Sequence, residues 1–195
     1  MSIELKRAIE LLREGQLVVY PTDTLYALGA DVYSEEAIDA VFRQKHRPLS
    51  LPLPVAVGTL EQIKEISVLT PLAKKIITHF FPGSLTIVVE KKPVLPNILT
   101  SNNKTVAVRM PNDVIALELV KTFGPLTVTS ANIHRENTPS SVLEIKNIFS
   151  LRTVSYYIDD GLRYGRPSTI VDCTSDHPKI LRVGSICLDD IVSKV

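Results

Sequence analysis

Apolar residues at the start of the chain fall at helical spacing. Ile3, Leu5, Ala8, Ile9, Leu11 and Leu12 share a stripe, while Glu4, Lys6, Arg7 and Glu10 lie off it. The pattern predicts an amphipathic helix stopped by Gly15. The next run, Leu17, Val18, Val19 and Tyr20, has no polar interruption and ends at Pro21, which predicts a short buried strand. Ser34 before Glu35 and Glu36 sets a capping hydroxyl and first-turn carboxylates at the head of a helix through Arg43. A strand over 51–57 and a short helix over 59–66 follow. Thr70 before Pro71 opens a helix through Phe80, because proline at the first helical position gives up an N–H that has no partner anyway. Strands are predicted over 84–92, 104–111 and 125–132, the last running into a polar turn, with a helix over 113–122 between the second and third. Ser140 or Ser141 caps a helix reaching Phe149, and 153–161, 167–174 and 179–186 read as three further β-rich segments.

Helices and strands thus interleave with no linker, composition shift or repeat, which predicts one α/β domain over residues 1–195. The back-to-back strands near the end do not fit a regular Rossmann alternation, so the expected core is a single twisted, open mixed sheet flanked by helices. With 195 residues the chain can bury a core without disulfides or metal. Its 22 basic and 21 acidic residues exclude a coat of positive charge, though not a local cationic patch. Two cysteines without a CxxC pair and four scattered histidines give no metal-ligand spacing, so no metal site is expected. No stretch of 18 apolar residues and no export signal is present, so the expectation is a cytoplasmic protein without a membrane span.

GxxxxGK[ST], GxGxxG and GxSxG are all absent. Cys173 and Cys187 sit in apolar, strand-like surroundings that suit small packing residues better than nucleophiles. The candidate chemistry lies instead in polar groups that end apolar strands. Thr22, Asp23 and Thr24 follow the first strand, where open sheets place ligands, although the same residues can form a turn or cap. Lys45 and Arg47 precede Pro48 and are read either as cations that suit a helix C-terminus or as a phosphate clamp in an extended stretch. Thr129, Ser130 and Asn132 end the 125–132 strand, Arg109 enters a proline turn, and Arg182 accompanies the PSTIVD segment.

The ordered segments YPTDTLYALGA, KHRP, FFPGSLTIVV, VAVRMP, TSAN, PSTIVD and ILRVGSI span residues 20–186. Together they resemble the YrdC/Sua5 family. The resemblance implies a YrdC-like α/β domain with a concave, cation-lined cavity. It also implies a threonylcarbamoyl-AMP synthase, a nucleotidyltransferase that converts L-threonine, bicarbonate and ATP to threonylcarbamoyl-AMP and pyrophosphate for the tRNA modification t6A37. The family's catalytic KxR and SxN residues fall on Lys45, Arg47, Ser130 and Asn132. ATP contacts would be Lys45, Arg47, Thr105, Asn132, Ser140 and Arg182, and threonine contacts Thr22, Arg109, Ser130 and Ser168. Mg²⁺ would accompany the triphosphate. Implied partners are tRNA or double-stranded RNA and a downstream threonylcarbamoyl-transfer complex. Preplaced cations suit the reaction, since charge concentrates on the α-phosphoryl oxygens and departing pyrophosphate.

The chain departs from the family pattern at Ser84 in PGSLT, at Leu51, and at His134 and Arg135 after TSAN. Two other readings use the same cavity: an RNA-binding module without catalysis, and a paralogue of the hydrogenase-maturation type that activates carbamoyl phosphate.

Overall fold

The computed structural model describes residues 1–149 and 154–194. Ser2 accepts a hydrogen bond from the Leu5 amide and opens α1 (Ile3–Arg13), whose buried Leu5, Ala8, Ile9, Leu11 and Leu12 belong to the stripe predicted above. β1 (Leu17–Tyr20) is buried at every position. Leu17 and Val19 enter one core with Ile38, Val41 and Phe42 of α2 (Glu35–Lys45). Val18 and Tyr20 enter a second core with α1 and with Ala116, Leu119 and Val120 of α5 (Val114–Phe123). A strand covered on both faces has no polar side, which is why its sequence lacks alternation. β2 (Ala27–Gly29) pairs antiparallel with β1 and had no signal of its own.

The 51–57 strand shrinks to β3 (Val55–Ala56), since Pro52 and Pro54 lack the N–H a ladder requires. α3 (Leu60–Ile66), β4 (Ser67–Val68), α4 (Pro71–Phe80), β5 (Leu85–Lys91) and β6 (Thr105–Arg109) follow, then α5. α4 begins at the Thr70–Pro71 pair, with the Thr70 hydroxyl accepting from the Ala73 amide. The expected 125–132 strand divides into β7 (Leu126–Thr127) and β8 (Thr129–Ser130). α6 (Val142–Ile148), capped by Ser141, precedes β9 (Val154–Tyr157); Thr153, the first residue of that expected strand, lies outside the described residues. β10 (Thr169–Asp172), β11 (Lys179–Arg182) and α7 (Leu188–Val192) complete the chain.

The mixed β-structure flanked by helices is present as expected, and it is divided between two sheets. One runs β8-β2-β1-β9; the other runs β11-β10-β5-β6-β3-β7, with β4 added against β5. The chain changes sheets at Val128, because β7 pairs with β3 while β8 pairs with β2. Thr127 ties the sheets there: its hydroxyl donates to Leu28 O at 2.9 Å and accepts from the Ala30 amide at 3.0 Å. No helix among the described residues is long and apolar enough to cross a membrane.

Alternation in the larger sheet positions the site. Leu85, Ile87 and Val89 of β5, Val106 and Val108 of β6, and Val171 of β10 pack with Ile63, Ile66 and Ile76 of α3 and α4. The residues between them, Thr86, Val88, Ala107 and Ile170, face the other way. Register keeps that second face continuous, with Ile170 opposite Thr86 and Val88 opposite Ala107.

Candidate functional site

The second face of the larger sheet is the floor of a cavity of about 360 Å³, a size that admits a small-molecule ligand. Thr22, Thr24, Tyr26 and Ser130 form the wall that belongs to the smaller sheet and the turn before β2. Arg47, Pro52 and Pro54 edge it on one side, and Pro167, Leu181 and Arg182 on the other. The cavity therefore sits between the two sheets and draws residues from both.

Arg109 ends β6 and is 5 % exposed. Its Nε donates to Gly83 O at 3.1 Å, Nη1 to Thr24 Oγ1 at 2.8 Å, and Nη2 to Asp23 Oδ1 at 2.7 Å. Gly83 belongs to the PGSLT turn, and Asp23 also accepts from the Asn112 amide at 3.0 Å. Thr22 Oγ1 and Thr24 Oγ1 lie 3.0 Å apart, and Thr22 Oγ1 also accepts from the amides of Thr24 and Leu25. The turn after β1 is thus an array of hydroxyls locked to one guanidinium.

Lys45 is the last residue of α2, the helix-terminal position of one of its two readings and not the extended stretch of the other, and His46 closes the helix in the left-handed region (φ 49°). The Lys45 ammonium is 1 % exposed. It donates to Asn132 O at 2.7 Å, to Asn132 Oδ1 at 3.0 Å, and to Ser130 O. Ser130 Oγ donates to the same Asn132 Oδ1 at 2.7 Å, and Asn132 Nδ2 to Glu136 O at 2.6 Å. Lys45, Ser130 and Asn132 are one bonded unit, and Ser130 is the member that reaches the cavity.

Arg47 is half-buried, with Nε donating to Leu51 O at 3.0 Å and Nη2 to Pro52 O at 2.9 Å. Leu51 therefore serves Arg47 through its carbonyl. Arg182 Nε and Nη2 donate to Ser168 O at 3.1 and 2.8 Å, and Ser168 Oγ lies 2.8 Å from Thr86 Oγ1. Burial lowers the proton affinity of Lys45, Arg47, Arg109 and Arg182 alike. For Lys45, burial with Arg47 nearby brings the ammonium down to about 7. Arg109 adds to the effect of burial at Arg182, whereas Asp23 opposes it at Arg109.

Of the residues singled out in the sequence, Thr22, Arg47, Arg109, Ser130, Ser168 and Arg182 line the cavity. Lys45 and Asn132 are bonded to its wall from behind. Thr105 and Ser140 are off the lining. Thr105 has the strand parity of Ala107 and Arg109 but lies beyond them, opposite Glu90. Ser140 Oγ is 3.2 Å from Glu144 Oε2, and its amide donates to the same oxygen at 2.7 Å. Sequence reasoning missed Thr86, Val88, Ala107 and Ile170, although their alternation with the core residues of β5, β6 and β10 marks a common face.

The Sua5/YciO/YrdC family model, described as telomere recombination, matches residues 10–184. Threonylcarbamoyl-AMP synthase of Pyrococcus abyssi is 36% identical over 191 residues, which is 96% of this chain and 56% of that protein. A relative from Methanocaldococcus jannaschii is 37% identical over 188 residues, covering 94% of this chain and 88% of the relative. The crystal structure of P. abyssi Sua5 complexed with L-threonine superposes with a TM-score of 0.93 at 34% identity, over 98% of this chain and 57% of that one. This chain thus spans about half the length of the P. abyssi protein. On the matched span, the identity and the shared fold, the chain belongs to the Sua5/YciO/YrdC family.

Proposed function

We propose that this chain is a threonylcarbamoyl-AMP synthase acting on L-threonine, bicarbonate and ATP. The observation that carries the reading is the cavity between the sheets, where Arg47, Arg109 and Arg182 converge with the hydroxyls of Thr22, Thr24, Ser130 and Ser168. Such a set recognises an amino acid and a polyphosphate together. Named relatives and a threonine-bound Sua5 structure support the same assignment.

In this reading the threonine amine and bicarbonate combine to a carbamate with loss of water. A carbamate oxygen then attacks the α-phosphorus of ATP, and the bond to pyrophosphate breaks. Arg109, fixed by Asp23, Gly83 and Thr24, holds the threonine carboxylate with its remaining N–H donors. Arg47 and Arg182 neutralise phosphoryl oxygens as charge moves onto them. Lys45 acts through Ser130 and Asn132, whose carbonyl oxygens accept its hydrogen bonds. Thr105 and Ser140 are outer contacts of the nucleotide. Mg²⁺ enters as part of the substrate, held by triphosphate oxygens and water, since the cations edging the cavity suit anions. We read residues 1–195 as one domain that works in the cytoplasm and passes its product to a transfer complex acting on tRNA.

The test incubates purified protein with ATP, threonine and bicarbonate and follows pyrophosphate. Release that depends on threonine and bicarbonate is expected. Tight RNA binding without turnover would replace the reading by that of a binding module, and release driven by carbamoyl phosphate would replace it by that of the paralogue.

A further inference from the structure

Residues 158–168 join β9 of the smaller sheet to β10 of the larger one without regular secondary structure. Among the ties that hold this strap, three bear on the site. Tyr26 Oη donates to Gly161 O at 2.7 Å and accepts from the Asp160 amide at 2.9 Å. The Arg163 amide donates to Ser140 O at 2.8 Å, and the Gly165 amide to Thr24 O at 2.9 Å. The strap therefore touches both proposed halves of the site: Thr24 beside Arg109, and Ser140 on the nucleotide side.

Gly165 is where the strap lies tightly against Thr24. A Cβ there would stand 2.3 Å from Thr24 O and 2.7 Å from Thr24 Cα, inside any tolerable contact with backbone. Its φ lies outside the left-handed region, so space and not conformation demands glycine. Thr24 in turn shares a hydrogen bond with Thr22 and receives Arg109 Nη1. A displacement of Thr24 is thus passed to the hydroxyls and the guanidinium that face the cavity.

We propose that Gly165 is a positioning residue for the amino-acid half of the site, setting the spacing of Thr22, Thr24 and Arg109 by letting the strap lie against Thr24. The proposal rests on the synthase reading for the identity of that half. Misplacing a binding group by about 1 Å can cost on the order of 10²-fold in rate. Gly165→Ala is accordingly expected to raise the threonine KM by about tenfold or more. The ATP KM should stay within about twofold, because the added methyl meets Thr24 and not Ser140.

Gly161→Ala is the control. It strains the strap at φ +74° but places its Cβ in open space, so it should leave both KM values within about twofold. Equal rises in the two KM values for Gly165→Ala, or the same threonine effect from Gly161→Ala, would overturn the proposal. If Gly165→Ala does not fold, Tyr26→Phe removes the tie at Asp160 and Gly161 without adding volume and loosens the approach of the strap to Thr24. It should raise the threonine KM selectively, and an unchanged KM would count against the proposal.

Hydrogen exchange separates this idea from the reading of the reaction. The Thr24 and Leu25 amides, both bonded to Thr22 Oγ1, should exchange at least about tenfold faster in Gly165→Ala and unchanged in Gly161→Ala. Wild-type protein that releases no pyrophosphate while showing this pattern refutes the synthase and leaves the strap contact standing. Unchanged exchange in Gly165→Ala refutes the strap.

Discussion

Lys45 invites a test in which two opposed effects are weighed directly. Burial and the neighbouring Arg47 bring its ammonium from 10.5 down to about 7. The three oxygens around Nζ pull the other way, since three acceptors match the three protons of an ammonium. If burial dominates, the unfolded chain binds more protons than the folded one between these two values. Stability then rises with pH across that window and is independent of this group below it. The gain from Lys45 alone is about 2 kcal/mol between about pH 7 and 9, or roughly 4–8 °C in melting temperature for a chain of this size. Lys45→Met removes the titration while keeping the side-chain length. The measurement is urea unfolding of both proteins from about pH 6 to 9, with the wild-type-minus-variant difference plotted against pH. The difference should be flat at the acid end and climb above about pH 7 toward a slope of about 1.4 kcal/mol per pH unit. A difference that stays flat throughout refutes the reasoning: the oxygen cage then outweighs burial, and Lys45 remains charged at every pH tested. In either case the Asn132 carbonyl loses its ammonium donor in the variant, so Lys45 is not expected to be removable without a cost in stability.

Arg47→Ala should behave differently from Lys45→Met, because its two carbonyl partners lie in the adjoining Leu51–Pro52 turn. Unfolding should shift by no more than about 1 kcal/mol, while pyrophosphate release falls by on the order of 10²–10³. Asp23→Asn breaks an ion pair whose side chains are 6 % and 17 % exposed, leaving Arg109 without its carboxylate. Calorimetry should show a loss of about 3–5 kcal/mol, and titration with threonine a weaker affinity. Thr86→Val keeps the shape of the cavity floor but removes the partner of Ser168 Oγ. A loss of about 1 kcal/mol is expected in thermal unfolding, and a neutral result would mean that Arg182 alone satisfies Ser168.

What the sequence revealed, and what it hid, divides by the range of the interactions. The Thr70–Pro71 helix start, the Ser34 cap and the unbroken Leu17–Tyr20 strand depend on neighbours a few residues away, and the structure has each of them. β2, β4 and the change of sheet at Val128 depend on partners brought from elsewhere. Two or three residues of strand carry no readable alternation, and only Thr127, bonded to Leu28 and Ala30, shows why the chain changes sheets at Val128. The site follows the same rule. Arg109, Thr22 and Arg47 were legible as polar groups beside apolar runs. The surroundings of Lys45 were not, because its acceptors are mostly backbone carbonyls of Ser130 and Asn132, and a carbonyl leaves no mark in the sequence. Thr86 was hidden differently: a single hydroxyl in an apolar strand gains meaning only once Leu85 and Ile87 are known to face the core.

The distribution of committed protons separates the cations into two kinds. Lys45 gives all three of its donors to the wall and keeps none for a ligand. Arg109 commits three of five N–H groups and Arg47 two, so among the described residues both retain donors while bordering the cavity. Asp23 is the one carboxylate in salt-bridge contact with these groups among the described residues. The folded protein thus holds several like charges in a partly dry enclosure, and burial acts against each of them. An anionic ligand relieves that strain and binds only the folded form, so it should stabilise the fold through mass action. The same imbalance explains why the cations are braced so heavily by carbonyls. Without that bracing, mutual repulsion would turn the side chains outward toward water, and the cavity would lose the fixed charge that the proposed phosphoryl transfer needs.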